Sequence, residues 1–293
     1  MRNKITLLLL TQKGYEVLKA LIADVPDVIH SVISAADPTV VKDFHDDIKK
    51  LCDHSGITFS NRTGRRTIDT EYAMAISWRW LIDARSTSLI VLHDSLLPKY
   101  RGFNPLVTAL INGDDRIGVT AFYANDEYDR GDVIAQAETR VTYPMPIQKA
   151  IELATENYKE LALRIAKAIA NGDRPSSYKQ DEKQATYSLW RDEEDYAIDW
   201  HLSSDSIRRF IDAVGFPYKG ASTTMDGRKM RILSAEAVDD VAIVNRSPGK
   251  LIFFQHGKPV IVCGNGLLRI NEIIDDQTKS SLLPLPRLRV RFK

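Results

Sequence analysis

A histidine at the end of an apolar run, His93, is the first residue whose position suggests chemistry. It follows the run Ser88–Leu92 directly, and the loop after it reads DSLLPKYRG. A histidine at the carboxyl end of a buried strand is held firmly yet stays reachable, as a general acid or base must be. Lys99 and Arg101 in the same loop are typical of a mouth that binds an anion. The alternative is a histidine that only satisfies main-chain groups, followed by a solvated loop.

Two further loops carry candidate site residues. Segment 125–136 reads NDEYDRGDVIAQ and sets several carboxylates around Gly131. One of them could pair with His93 and orient its ring, although such clusters are usually solvated turns. Ser77–Leu81 reads SWRWL and holds two of the four tryptophans. These either wall a pocket for a flat heterocycle or simply cover the core.

Such loops need strands that end at a common edge. Short apolar runs alternate with helical patterns along the first half of the chain, at Ile5–Thr11, Val28–Ser34, Ile57–Phe59, Ala73–Ser77 and Ser88–Leu92. Strands that are apolar on both faces predict an α/β fold with a Rossmann-like, doubly wound, mostly parallel sheet. Ligands of such sheets bind beyond the carboxyl ends of the strands. No GxGxxG motif follows the first run, so the usual dinucleotide clamp is not expected.

The helical patterns complete this architecture. A helix is expected from about Thr39, which Pro38 could initiate, to Cys52. Others are expected over Pro105–Asn112 and 147–170, with strands at 118–124 and from about Asp132.

The amino-acid composition and the hydrophobic pattern change after residue 172. A polar segment containing Pro175 predicts a linker, and a short helix is expected over Ser204–Val214. Short β-type runs separated by turn signals then predict a small β-barrel. We therefore expect a main domain over 1–172, a linker over 173–203 and a β-rich, OB-like barrel over 204–293.

Composition narrows the functional classes. The chain of 293 residues carries 40 basic and 39 acidic side chains, a net charge of +1. This balance argues against a surface built as a whole to bind nucleic acid or anionic lipid. Cys52 and Cys263 form no CxxC pair, so neither a zinc ribbon nor a dithiol centre is expected, and few cysteines suit a reducing cytoplasm. The apolar run 7–10 is too short for a membrane span.

Taken in order, these motifs resemble the 10-formyltetrahydrofolate-dependent formyltransferases. The family pattern His-x-Ser-Leu-Leu-Pro-x-Tyr-Arg-Gly matches residues 93–102, and a Gly-Val-Thr strand matches 118–120. An Asp-x-Gly-x-Ile-like loop that ends in Gln matches 129–136. Beyond the linker, EDYAIDW at 194–200 and FPYKGA at 216–221 are similar to the start of the family's C-terminal barrel. The resemblance runs from about residue 70 to 275.

The resemblance implies an enzyme that moves a formyl group from 10-formyltetrahydrofolate to an amine, without a metal. A base must remove the amine proton, and a donor must stabilise the oxyanion that forms. His93 would transfer the proton and Asp129 would orient its ring. The slot for the folate would be lined by Trp78, Arg79, Trp80, Leu81 and Tyr128.

One position departs from the family pattern. The family has an Asn two residues before the His, where this chain has Val91. Loss of one oxyanion donor typically costs about 3–4 kcal/mol, roughly a hundred- to thousandfold in rate. Protonated His93, a main-chain amide, Asn104 or a water could replace it, and we favour an active enzyme rearranged in this way. The alternative is a catalytically retired, ligand-binding homologue.

Family members with this organisation act on initiator methionyl-tRNA or on nucleotide-linked amino sugars. The tRNA enzymes carry a long basic loop after the second strand, whereas residues 34–39 read SAADPT. The basic tract 287–293 alternates with apolar residues, which predicts an edge strand with a solvated face. We therefore favour a cytoplasmic nucleotide-sugar N-formyltransferase of cell-surface glycan synthesis, with a homodimer as a possibility. Lys99, Arg101 and Asn104 would contact the nucleotide sugar; a methionyl-tRNA formyltransferase is the alternative.

Overall fold

The computed structural model describes residues 3–37, 42–63, 68–83 and 87–293. The chain divides into two compact units. Unit 1 comprises Met1–Leu106, Arg116–Arg140 and Ile151–Leu189, and unit 2 comprises Val107–Asp115, Val141–Ala150 and Trp190–Lys293. The domain limits expected from the sequence, after residues 172 and 203, stay a prediction.

Unit 1 is built on a mixed sheet of seven strands. They are β1 (Ile5–Leu9), β2 (Ile29–Ser34), β3 (Thr58–Asn61), β4 (Tyr72–Ile76), β5 (Ser88–His93), β7 (Arg116–Tyr123) and β8 (Val133–Arg140). Their order is β3-β2-β1-β4-β5-β7-β8. The first five are parallel, and β7 and β8 are antiparallel additions. The predicted mostly parallel, doubly wound sheet is therefore confirmed.

Two more strands of unit 1 form a separate pair. β6 (Arg101–Gly102) runs parallel to β9 (Tyr187–Ser188). Every residue of β1 and of β4 is buried, as expected for strands covered on both faces.

Two helices of unit 1 accompany the large sheet, α1 (Thr11–Asp24) and α2 (His45–His54), while α3 (Pro105–Asn112) and α4 (Ile147–Ala170) each contain residues of both units. The bounds predicted for α3 and α4 are confirmed. The start predicted for α2, near Thr39, is wrong, because Phe44 has a φ of 63° and a helix of L-residues does not continue through a left-handed residue. Pro38, the suggested initiator, lies outside the described residues.

Unit 2 contains a five-stranded antiparallel sheet. Its strands are β10 (Ala221–Met225), β11 (Arg228–Val238), β12 (Leu251–Gln255), β13 (Lys258–Val262) and β14 (Leu267–Asp275), in the order β10-β11-β14-β13-β12. The helix α5 (Ser204–Ala213) is capped by Ser203, whose side chain accepts from the main-chain N–H of Ser206. Residues 290–293 pair with both outer edges of this sheet. The strand-rich second part is confirmed, and its description as an OB-like barrel stays a prediction.

In the parts of the chain that the structure describes, no helix is both long and apolar enough to cross a lipid bilayer.

Candidate active site

The register of the large sheet brings the loops that follow β4 and β5 to one edge. Leu9 pairs with Ile76, and Ile76 pairs with Leu92, so β1, β4 and β5 end at the same level. The order reverses between β1 and β4, the point at which sheets of this type leave a crevice for ligands. His93 is the last residue of β5 and is buried.

His93 lies between a carbonyl oxygen and a carboxylate. Its Nε2 is 2.9 Å from the main-chain oxygen of Tyr100, and its Nδ1 is 3.7 Å from Oδ2 of Asp129. Because a carbonyl oxygen only accepts, Nε2 carries the proton in this geometry. Nδ1 is then the nitrogen that can take up a second proton, and the carboxylate opposite would stabilise the resulting charge.

The Asp129 carboxylate is fixed by its own loop and by the loop that follows His93. Its Oδ2 accepts a 2.7 Å hydrogen bond from the main-chain N–H of Gly102. Asp129 itself has a φ of 55°, an unusual conformation for a residue with a Cβ. Gly131 is required nearby, because a Cβ there would lie only 1.6 Å from the main-chain oxygen of Tyr123. The sequence-predicted pair of His93 and Asp129 is thus brought together.

The segment Pro175–Ser188, which we call the strap, crosses both loops within unit 1. Main-chain hydrogen bonds join Tyr178 to Val133, Thr186 to Pro98 and Thr186 to Arg101. The Gln180 amide donates to the main-chain oxygens of Asp129 and Gly131, each at 2.8 Å. A segment that looked like a linker is therefore part of the site's framework.

Arg101 connects the strap to the His93 loop from inside the unit. It is fully buried, and its guanidinium donates to Glu182 at 2.7 and 2.9 Å and to Gln180 at 2.8 and 3.2 Å. The hydrogen bonds with Glu182 raise the pKa of Arg101 and lower that of Glu182. These donors are engaged within the unit, and a substrate contact by Arg101 stays a prediction.

The other residues suggested for substrate binding are more accessible. Lys99 is exposed, and Asn104, just before α3, is half-buried with a φ of 50°. Phe103 between them is also exposed.

The tryptophans after β4 stack edge to face. The rings of Trp78 and Trp80 are 5.3 Å apart at 76°, and the Arg62 guanidinium lies 4.3 Å from the Trp80 ring centre. Arg79 pairs with the buried Asp37. Trp78 packs on the core, yet its buried Nε1 has no hydrogen-bond partner in the described part of the chain. Leu81 and Tyr128 are strongly exposed, at 86% and 72%.

Val91 lies two residues before His93 and so on the same face of β5. It packs against an apolar cluster of Leu8, Ala73 and Ala75. The cluster gives it an evident structural role, and its side chain offers no donor to an oxyanion.

Sequence reasoning missed a buried ion pair beside the histidine. Lys13, in the first turn of α1, is 2.5 Å from Oδ2 of Asp94, the residue after His93, and lies 5.4 Å from the Tyr158 ring centre. The Tyr158 hydroxyl donates to the main-chain oxygen of Leu92. Burial, followed by the charge of Asp94, raises the Tyr158 pKa well above its usual value. The sequence did contain a signal for this ion pair, because Lys13 follows β1 and Asp94 follows β5, and these two strands end at the same edge of the sheet.

Neither cysteine has the character of a nucleophile. Burial raises the pKa of the Cys52 and Cys263 thiols to about 12. Within the residues that the structure describes, no three His, Cys, Asp or Glu side chains are placed to hold a metal ion.

The fold and the site define an α/β protein with a doubly wound sheet, whose histidine–carboxylate pair lies at the carboxyl edge of the strands. The family model described as formyl transferase matches residues 71–162, and the model of the formyl transferase C-terminal domain matches residues 191–282. The chain belongs to the formyl transferase family.

Relatives matched by sequence carry the name methionyl-tRNA formyltransferase, whereas the matching solved structures include both sugar N-formyltransferases and a methionyl-tRNA formyltransferase. The methionyl-tRNA formyltransferase of Fusobacterium nucleatum is 31% identical over 182 residues, which cover 62% of this chain and 58% of that protein. The sugar 3N-formyl transferase WlaRD, solved in the presence of dTDP and 5-N-formyl-THF, has a TM-score of 0.70 and 16% identity over 91% of this chain and 96% of that one. The N-formyltransferase of Helicobacter canadensis, in complex with folinic acid and dTDP-3-aminofucose, has a TM-score of 0.70 and 15% identity over 92% and 99%. These two structures show the same fold.

Proposed function

We propose that the chain is an N-formyltransferase that moves a formyl group from 10-formyltetrahydrofolate to the amine of a nucleotide-linked amino sugar. The observation that carries this proposal is the placement of His93, whose Nδ1 faces the Asp129 carboxylate while Nε2 donates to Tyr100. Family membership and the folate-type ligands named for the two structural neighbours support the donor.

The residues of the site can carry out the proton transfer that this reaction requires. An amine that attacks a formyl carbon acquires a positive charge and must lose a proton. Nδ1 of His93 accepts that proton, and Asp129 stabilises the imidazolium that results. The bond between the formyl carbon and N10 of the folate then breaks, and the proton held by His93 passes to N10, so tetrahydrofolate leaves as a neutral amine. The Tyr100 oxygen keeps the ring in the tautomer that leaves Nδ1 free, as long as the loop 93–102 stays in place.

The residues suggested for the folate fit a flat, partly polar ring. Trp78 and Trp80 offer aromatic faces and edges against which a flat heterocycle can pack. Trp78 also borders the apolar cluster that contains Val91. We assign Arg79, Leu81 and Tyr128 to the same slot as part of this proposal.

The oxyanion requires a donor other than residue 91. The positions that could supply it are Asn104, a main-chain amide of the loops, an ordered water and His93 itself after it has gained a proton. With any of these donors, residue 91 does not need a polar side chain, which agrees with the packing of Val91 against the apolar cluster.

The choice of amino sugar over tRNA depends on two observations. Two structural neighbours, one named a sugar 3N-formyl transferase and one solved with dTDP-3-aminofucose, have TM-scores of 0.70, whereas the methionyl-tRNA formyltransferase of Clostridium thermocellum has a TM-score of 0.58 over 99% of its length. Residues 34–37 read SAAD and carry no basic side chain, while 38–41 lie outside the described residues. The name of the sequence relative favours methionyl-tRNA as the second candidate. A cytoplasmic location and a homodimer stay predictions.

The test is a formyl-transfer screen with the full chain, 10-formyltetrahydrofolate, a panel of amino-sugar nucleotides and initiator methionyl-tRNA. We expect one class of amino-sugar nucleotide to be formylated. His93→Ala should reduce the rate roughly 10²–10⁴-fold while folate binding is retained, whereas His201→Ala, at an exposed position in unit 2, should have no effect. Formylation of the tRNA alone would select the second candidate. Loss of the folate formyl group without a formylated product would indicate a hydrolase.

A further inference from the structure

A concave groove of about 600 Å³ lies in unit 2, and we call it the tail groove. It is formed by the β10–β11 turn, the start of β12 and the C-terminal segment 288–293. Its volume falls within the range of small-molecule sites in proteins, roughly 300–1,000 Å³. None of the residues that line it belongs to the His93 site.

Four cationic side chains converge on this groove: Lys250, Arg289, Arg291 and Lys293. Lys250 and Arg291 are partners in an antiparallel bridge, so their side chains share one face. Lys293 is two residues from Arg291 and therefore points to that face too, and Arg289, which lies in a turn closed by a hydrogen bond from Val290 N to Leu288 O, also lines the groove. Phe292, between Arg291 and Lys293, is buried, which fixes the alternation over these three residues.

The positive charge of the groove is largely unmatched. Among the described residues, no carboxylate lies within 4 Å of the charged groups of Lys250, Arg289 or Lys293, and Arg291 donates only to Ser247 Oγ at 2.8 Å. Asp226, the acidic side chain among the lining residues, is already paired with Arg287.

The main-chain oxygen of Lys293 is also engaged, because it accepts from Thr224 N and Thr223 Oγ1.

Several other arginines of unit 2 are paired with carboxylates, unlike the cations of the groove. Arg228 pairs with Asp275, Arg246 with Asp240 and Arg269 with Glu236. Like charges directly opposite each other on paired strands are destabilising. A bound anion would remove that repulsion.

We propose that the tail groove binds the diphosphate group of a nucleotide. Phosphate oxygens accept charge-assisted hydrogen bonds from several cations at once. Ile252 and Leu288 add apolar surface to the lining, and Leu288 is 49% exposed, so a base can lie against it. A small anion is favoured over a nucleic acid because the cations are confined to one cavity in a chain whose net charge is only +1. This site is additional to the proposed formyl transfer and does not depend on it.

Calorimetric titration of the full chain with inorganic pyrophosphate and with UDP tests the proposal. We expect both to bind, with affinity that falls as salt rises. Lys250→Gln together with Arg289→Gln should weaken pyrophosphate binding about a hundredfold, roughly tenfold for each lost charge-assisted contact, and should remove the UDP site that pyrophosphate displaces. Both side chains are exposed, so the variant should fold, as a thermal unfolding curve would verify. Lys279→Gln, an exposed lysine paired with Asp276, is the matched control and should bind like the wild type.

Several outcomes would overturn this assignment. The assignment would be wrong if neither pyrophosphate nor UDP bound the wild type. It would also be wrong if the double variant bound both probes as well as the wild type does, because the nucleotide would then bind elsewhere. A single-stranded RNA oligomer that binds with a steep salt dependence, is lost in the double variant and is not displaced by pyrophosphate would assign the groove to nucleic acid. None of these results bears on whether formyl transfer occurs.

Discussion

The side-chain amide of Gln180 donates a 2.8 Å hydrogen bond to the main-chain oxygen of Asp129. The same amide donates to Gly131, and its oxygen accepts from the buried guanidinium of Arg101. Asp129 has a left-handed φ of 55°, a conformation that costs about 1–3 kcal/mol unless its surroundings impose it. Gln180 therefore stabilises the backbone from which the carboxylate reaches His93.

Replacing Gln180 tests whether the strap positions the site. Gln180→Ala removes two donors to the Asp129 loop and one acceptor of Arg101, and we expect a loss of about 1–3 kcal/mol in unfolding free energy. The turnover number for formyl transfer should fall about tenfold with a smaller change in KM, because Asp129 is displaced from His93. Urea unfolding and steady-state kinetics measure the two effects. Gln184→Ala in the same strap, whose partner is the exposed Asp181, should leave both unchanged. Lost stability with unchanged turnover would contradict the positioning role.

The sequence was sufficient to predict the architecture that carries the site. Continuous apolar runs identify strands covered on both faces, and parallel strands end at one edge, so the loops after β4 and β5 were expected to lie together. The carboxylate loop follows β7, which runs antiparallel to β5 and ends beside Ile90, so the contact of Asp129 with His93 does not follow from strand direction. Helix α4 was predicted to its last residue because its apolar periodicity ends at Asn171–Gly172. These features could be predicted because they depend on the hydrophobic pattern of short, continuous stretches of the sequence.

The features that were not predicted depend on partners distant in the chain. Gln180 binds main-chain atoms of residues about fifty positions earlier, and such contacts leave no compositional trace in a polar segment that resembles a linker. Lys13 and Asp94 are 81 residues apart. The start of α2 depends on the backbone of Phe44, which hydrophobic periodicity does not report.

The Lys13–Asp94 pair should be strongly coupled. Both side chains are largely buried, at 10% and 21% exposure, so Lys13→Met leaves a carboxylate without its partner and should cost about 3–5 kcal/mol. Asp94→Asn alone should cost a similar amount, and the double variant should cost clearly less than the sum. Urea unfolding of the four proteins gives this coupling energy. Lys19→Met, at an exposed pair on the same helix, is the control. Additive effects would show that the two charges do not interact in solution.

Introducing the family's asparagine distinguishes a rearranged enzyme from a retired one. Val91→Asn puts an amide into the cluster of Leu8, Ala73 and Ala75, and an unsatisfied polar group there should cost about 1–3 kcal/mol. If the oxyanion is stabilised by other groups, the rate of formyl transfer should stay the same or fall. A gain approaching the roughly hundredfold value of one donor would instead show that the wild type lacks this stabilisation. Val91→Ala controls for the change in packing.

Glu193 in unit 2 should make stability depend on pH. Burial opposes its ionisation, but hydrogen bonds from Lys229, Lys219 and the buried Arg231 lower the pKa of Glu193 to about 2. Because the folded pKa lies below the ordinary 4.5, the contribution is fully present above pH 4.5 and is lost as the pH falls towards 2.

The full shift would correspond to about 3 kcal/mol, and screening at a side chain that is 41% exposed reduces this to about 1–2 kcal/mol. Glu193→Gln should therefore be less stable than the wild type at pH 7, with a difference that shrinks between pH 4.5 and pH 3. Urea unfolding across this range measures it, and Glu194→Gln, at the exposed neighbouring position, should show no such trend. A difference that stays constant with pH would assign the effect to lost packing of Glu193 against Arg231 rather than to its charge.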